Sequence, residues 1–146
     1  MNDLRFKVSR AKNDDGSVYD CLEIFIDGES LIDLVRNWEK PFAQREGHPA
    51  LAGNYEWLPA NKETYLALQD AEVDDEKTAL LECQCGCPGC WPLLVNIRKE
   101  AETVIWRAFE QPHRSEESAA GFWNYVGFGP FVFERQTYEK LFDETA

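Results

Sequence analysis

Residues 80–97 read LLECQCGCPGCWPLLVNI, from Leu80 to Ile97, and the fold turns on how this stretch is divided. Thr78 to Cys85 and Trp91 to Arg98 are rich in side chains that suit a pleated surface, and the segment between them is built of turn residues. Two antiparallel strands are therefore predicted. In Cys87-Pro88-Gly89-Cys90 the proline presets φ at the second turn position and the glycine accepts the positive φ that a type II turn needs at the third. A type II turn twists against the tightest hairpins, so the expected connection is wider, running from about Cys85 to Trp91.

Working outward, Lys99 to Glu102 is a polar turn and Thr103 to Phe109 forms the next strand, which predicts a meander over 78–85, 91–98 and 103–110. Upstream, Leu4, Phe6 and Val8 alternate with polar residues, and within Val18 to Asp27 a second strand places Leu22, Ile24 and Ile26 on one face and Cys21, Glu23 and Phe25 on the other. Asn13-Asp14-Asp15-Gly16 separates these two strands, which should pair as a hairpin. Asp27-Gly28 ends the second, and Ser30 with Asp33 reads as a capping box for a helix over Leu31 to about Glu39, which Pro41 should stop. The signals between Pro41 and Glu76 are weak, with Lys62 to Gln69 fitting a short helix or a strand. Pro112 to Gly121 reads as a surface loop, Phe131 to Phe133 as a last strand, and Tyr138, Leu141 and Phe142 as the apolar side of a C-terminal helix. The expected architecture is a single α+β domain over 1–146, with an antiparallel sheet of about five or six strands, two or three short helices on one face, and the cysteine hairpin at one end.

Composition bounds the function. Hydrophobic residues make up 44% of the chain and aromatics 13%, enough to fold a core against a net charge of −12. No run approaches the roughly 20 apolar residues of a membrane span, and MNDLRFKVSR lacks the apolar centre of a signal peptide, so a cytoplasmic protein is expected. With 27 acidic and 15 basic residues, and the basic ones scattered, nucleic acid is an unfavourable partner. The charge serves solubility at least; its sharper reading is an inhibitor or immunity-type protein that meets a basic protein partner. Candidate contacts are Asp74, Asp75 and Glu76 in the acidic run, with Trp123 and Tyr125 from the aromatic-rich segment 122–133 either in the core or lining a groove.

Cys83, Cys85, Cys87 and Cys90 could converge at one hairpin tip, because the first three share a strand face and the turn returns the fourth. Three readings stand side by side. C-x-C-x-C-x-x-C offers four thiolates to a tetrahedral zinc, although the ligands lie closer in sequence than the two knuckles of most structural sites. A redox dithiol needs a following helix to lower the thiol pKa, and here Trp91-Pro92 and an apolar strand follow instead. Reduced cysteines packed as small hydrophobes need nothing further.

Catalysis has one candidate cluster. Glu110, His113 and Arg114 lie together where a strand runs into a loop, and a carboxylate beside an imidazole can share a proton in general acid and base work. A small enzyme using these residues is the alternative to a binding protein, against the simpler reading of a surface cluster at a strand end. No glycine-rich phosphate loop, G-x-S-x-G or H-E-x-x-H motif accompanies them.

Cys83-Gln84-Cys85-Gly86, Gly89-Cys90-Trp91-Pro92-Leu93-Leu94, Phe109-Glu110-Gln111-Pro112-His113-Arg114 and Phe128-Gly129-Pro130-Phe131-Val132-Phe133 together resemble segments of a group of small uncharacterised bacterial proteins. The resemblance covers the C-terminal half best. It implies a bacterial cytosolic origin and carries no activity and no functional residues with it.

Overall fold

The computed structural model describes residues 1–70, 76–83 and 90–145. β1 (Leu4–Lys12) and β2 (Val18–Ile26) form the expected hairpin, in continuous antiparallel register from Leu4↔Ile26 to Lys12↔Val18. Its inner part is buried through Leu4, Leu22, Ile24 and Ile26, whereas Val8 and Val18 are exposed where the hairpin projects past the core. Asp27 and Gly28 both have positive φ, 54° and 83°, the backbone of a two-residue hairpin turn. They do more than end β2: the chain folds back as β3 (Glu29–Ser30) against Phe25 and Ile26 before entering α1 (Leu31–Arg45).

β4 (Tyr55–Pro59), α2 (Lys62–Gln69), β5 (Thr78–Cys83), β6 (Leu93–Lys99), β7 (Thr103–Glu110), β8 (Phe131–Glu134) and α3 (Arg135–Thr145) follow. The sheet has eight strands in the order β1-β2-β4-β5-β6-β7-β8, with β3 on β2, and every pairing is antiparallel. Its two ends come together. The Asn2 N–H donates to the Val132 carbonyl at 2.7 Å and the Asn2 Oδ1 accepts from the Val132 N–H at 2.8 Å, so the segment before β1 lies beside β8 and the sheet curls around its core. Trp106, Phe133, Tyr138 and Phe142 fill one part of that core with edge-to-face and stacked rings. The Tyr138 hydroxyl, fully buried, donates to the Leu68 carbonyl at 2.7 Å and accepts from Trp106 Nε1 at 3.3 Å, which ties α3 to α2 and β7.

Several expectations are corrected. The sheet has eight strands rather than five or six, because β3 is two residues long and β4 pairs over only a few residues, Cys21↔Pro59 and Leu22↔Leu58 on one side and Tyr55 to Trp57 on the other. Pro41 does not stop α1, which continues to Arg45: the proline faces solvent, while Phe42 and Ala43 beyond it pack into the core and hold the last turn. Ser30 makes no side-chain cap bond, since its backbone belongs to β3, and Asp33 pairs instead with Arg36 at 2.7 Å. β6 starts at Leu93, after Trp91 and Pro92, and the part of the cysteine turn from 84 to 89 lies outside the described residues. Among the described residues no helix is long and apolar enough to cross a membrane.

Candidate functional site

One side of α1 organises the site. Trp38, Phe42 and Glu46 recur every fourth residue, which puts them on one helix face, and Glu39 sits beside them. All four reach the segment that joins β7 to β8. Trp38 Nε1 donates to the Asn124 carbonyl at 3.0 Å, Phe42 stacks on Trp123 at 6.4 Å between centroids, and Trp123 Nε1 donates to Glu46 Oε2 at 2.6 Å. Glu39 accepts from the Tyr125 hydroxyl at 2.5 Å. Gly127 has φ +102 and lies where a Cβ would come within 3.0 Å of the Trp38 ring, so a side chain there would press the segment off the helix.

Glu39 is the centre of a buried polar network. Its side chain has 0% exposure, and it also accepts from the Gly53 N–H at 2.9 Å and the Tyr55 hydroxyl at 2.5 Å. The Tyr55 hydroxyl accepts in turn from Gln111 Nε2 at 3.1 Å, and the same nitrogen donates to the Pro92 carbonyl at 3.1 Å. Burial pushes the Glu39 carboxyl above its ordinary range, against the opposing effect of the Tyr125, Tyr55 and Gly53 donors. The hydroxyls of Tyr55 and Tyr125 are pushed up by burial and by the negative charge beside them, so both remain donors. The chain of bonds links α1, β4, the turn before β6, and both ends of the 111–125 segment.

Above this network lies a groove of about 890 Å³ between the C-terminal end of β7 and the 115–130 segment. Phe109 and Phe128, packed edge to face at 4.9 Å, form part of its floor. Phe122 and Val126, 45% and 84% exposed, stand at its rim. At one end Arg114 is held tightly: its Nε donates to Glu46 at 3.1 Å, and its guanidinium lies over the rings of Trp91 at 5.0 Å and Trp123 at 5.7 Å.

β7 carries a bulge at the groove. Leu94 pairs with Glu110 and Asn96 with Arg107, so β7 spends one more residue than β6 over this interval, and Ala108 there takes φ 54°. That conformation favours glycine, and an alanine in it stores strain on the order of 1 kcal/mol or more. The bulge turns β7 so that Phe109 is buried and Ala108 is exposed.

The candidate residues fall as follows. Glu110 lines the groove and pairs with Lys77 at 2.8 Å; Arg114 pairs with Glu46; and the His113 ring is exposed and stacked on Trp91 at 5.8 Å and 6°. Glu110 and Arg114 are thus drawn into ion pairs with different elements. Trp123 and Tyr125 are 2% and 7% exposed and border the groove from beneath while belonging to the core. Glu76 is exposed, and Asp74 and Asp75 lie outside the described residues. Cys83 ends β5, buried opposite Tyr55, and Cys90 is exposed; Cys85 and Cys87 lie outside the described residues. Among the described residues no three His, Cys, Asp or Glu side chains are grouped to hold a metal.

Glu39, Glu46, Tyr55 and Gln111 were not singled out in the sequence. A signal was present for one of them: the four-residue spacing of Trp38, Phe42 and Glu46 marks one helix face running straight through Pro41. The chain matches no protein-family model, no curated protein and no solved structure.

Proposed function

We propose that the protein is a noncatalytic binding protein whose groove beside β7 receives a basic protein partner, in the manner of an inhibitor or immunity protein. The observation that carries this is the balance of committed and uncommitted charge around the groove. Two of its cations are paired with carboxylates, Lys77 with Glu110 and Arg114 with Glu46, while Arg107 donates to the neutral Asn96 Oδ1 at 2.9 Å and keeps a single charge. Glu116 and Glu117, by contrast, are exposed at the groove and make no ion pair with any described residue. An acidic rim around exposed Phe122 and Val126 suits a contact with an apolar centre and a basic surround. The net charge of −12 extends that field over the whole molecule.

Affinity capture at low ionic strength, followed by association kinetics against the recovered protein, tests the proposal. The expected partner is basic, and its association slows both with added salt and with the Glu116→Gln/Glu117→Gln variant, while dissociation changes less. A partner that is neutral or acidic, or that associates equally fast with the variant, would overturn it. The alternative, a small enzyme using Glu110, His113 and Arg114, has weaker support, because two of its three residues are neutralised in separate ion pairs.

A further inference from the structure

β7 is covered unequally along its two sides. On one side β6 pairs with it from Val104 through to Glu110. On the other, β8 pairs only with Thr103, Val104, Ile105 and Trp106. Among the described residues Arg107 to Glu110 therefore have no strand on that side, and the groove runs along them. At about 3.3 Å per residue, four residues leave roughly 13 Å of strand edge uncovered. The line of β8 would pass through this space, but the chain enters β8 from Pro130, which has no N–H to donate to a ladder, and the preceding segment is drawn away toward Trp38, Glu39 and Glu46.

We infer that the groove is a strand-addition site: an extended segment of the basic partner pairs antiparallel with Arg107–Glu110 in the line of β8, with apolar and basic residues alternating along it. This rests on the proposed function above and gives its partner a form. Alternation follows from the pleat, since successive side chains of an added strand point to opposite sides. One set would meet exposed Phe122 and Val126 above the largely buried Phe109 and Phe128, and the other would face the carboxylates of Glu116 and Glu117. The strain at Ala108 fits the same picture, because a bulge bends an uncovered edge and discourages indiscriminate pairing, leaving a short edge matched to a short segment.

The test uses the intact protein and a displayed library of random dodecapeptides. Selection at low salt is expected to enrich sequences with basic and apolar residues in alternation. The best of these, made synthetically, should slow amide hydrogen exchange within Arg107 to Glu110 and bind at least tenfold more weakly to Glu116→Lys/Glu117→Lys, whose exposed positions leave the fold intact. N-methylation of its alternate amides should cost at least tenfold in one phase and little in the other, as only one set of N–H groups faces an antiparallel neighbour. Basic peptides that bind, protect amides elsewhere and tolerate N-methylation in both phases would overturn strand addition while leaving a basic partner in place. Failure to enrich basic sequences would overturn both. Concentration-dependent dimerisation that protects the same amides without peptide would assign the edge to a second copy of this chain and refute the inference.

Discussion

Replacing Glu39 by leucine removes the single acceptor on which three buried donors converge, the Gly53 N–H and the hydroxyls of Tyr55 and Tyr125. A buried donor left without a partner costs about 1–3 kcal/mol, so three would cost about 3–9 kcal/mol, and Glu39→Leu is expected to cost about 3–6 kcal/mol because removing the buried carboxyl offsets part of the upper end. That is a large share of the roughly 5–15 kcal/mol that stabilises a domain of this kind. Tyr125→Phe removes one donor from a carboxylate that keeps two, and is expected to cost about 2 kcal/mol. In Glu39→Leu/Tyr125→Phe the orphaned hydroxyl no longer exists, so the double variant should be more stable than the sum of the two losses by about 1–3 kcal/mol. Urea unfolding of the four proteins, compared at constant slope, measures this coupling. Additivity to within about 0.5 kcal/mol, or a cost for Glu39→Leu below about 1 kcal/mol, would refute a network centred on this carboxyl.

Ala108→Gly is expected to raise stability by about 0.5–1 kcal/mol, because glycine adopts the positive φ of the bulge without strain, while Ala108→Val should lower it; thermal unfolding checks both. Gly53→Ala should destabilise by more than about 1 kcal/mol in chemical unfolding, as its Cβ would lie 2.5 Å from Arg36 Cβ at a φ of +65 that also presents the N–H to Glu39. Burial holds the folded-state pKa of Glu39 above its ordinary value of 4.5, so the folded protein keeps this proton over a range in which the unfolded chain has lost it. The contribution is complete below the unfolded pKa and is lost as pH rises through the folded one; Glu39→Gln should therefore flatten the fall of stability above about pH 4.5, read from unfolding midpoints at a series of pH values. Arg114→Ala should lower stability by about 2–4 kcal/mol and shift tryptophan emission, with Arg114→Lys recovering part of the loss, since lysine keeps the charge near Glu46 without the planar stack on Trp91 and Trp123.

The parts of the fold legible in the sequence are those whose partners are neighbours along the chain. β1 with β2, and β5 with β6 and β7, join β-compatible runs through turn residues, so element type and neighbour follow from local chemistry, whereas the bulges that shift the β5–β6 and β6–β7 registers do not. β4 escapes this logic. Its burial does not alternate, it ends in a proline, and it is held by two residues of β2 and three of β5, so its identity as a strand comes from distant pairing rather than its own pattern. Pro41 misled for a related reason: helix propensity argues for a stop there, yet packing of Phe42 and Ala43 outweighs it, as tertiary contacts commonly outweigh propensity. The groove was half legible. Trp123 and Tyr125 stood out as aromatics in a glycine-bearing segment, but what fixes them, Glu46 and Glu39, lies 77 and 86 residues away.

Those long-range bonds bear directly on the binding role proposed for the groove. The segment that forms its far wall contains glycines at 121, 127 and 129 and would have considerable freedom on its own. It is nevertheless tied down by Trp38 at Asn124, Glu46 at Trp123, Glu39 at Tyr125, and the Trp123 N–H to the Arg114 carbonyl at 2.9 Å. The ordering entropy of that wall is therefore met during folding, by α1, and not when a partner arrives. Immobilising a rotamer-rich side chain on binding costs about 0.5–1.5 kcal/mol, and a wall fixed beforehand avoids several such costs. A short uncovered strand edge offers few backbone bonds, so a useful affinity needs that saving together with the apolar floor at Phe109 and Phe128. On the proposed binding role, the buried Glu39 network and the uncovered edge of β7 act together: the first holds the wall in place as part of the folded core, and the second is where a fixed wall lowers the cost of binding.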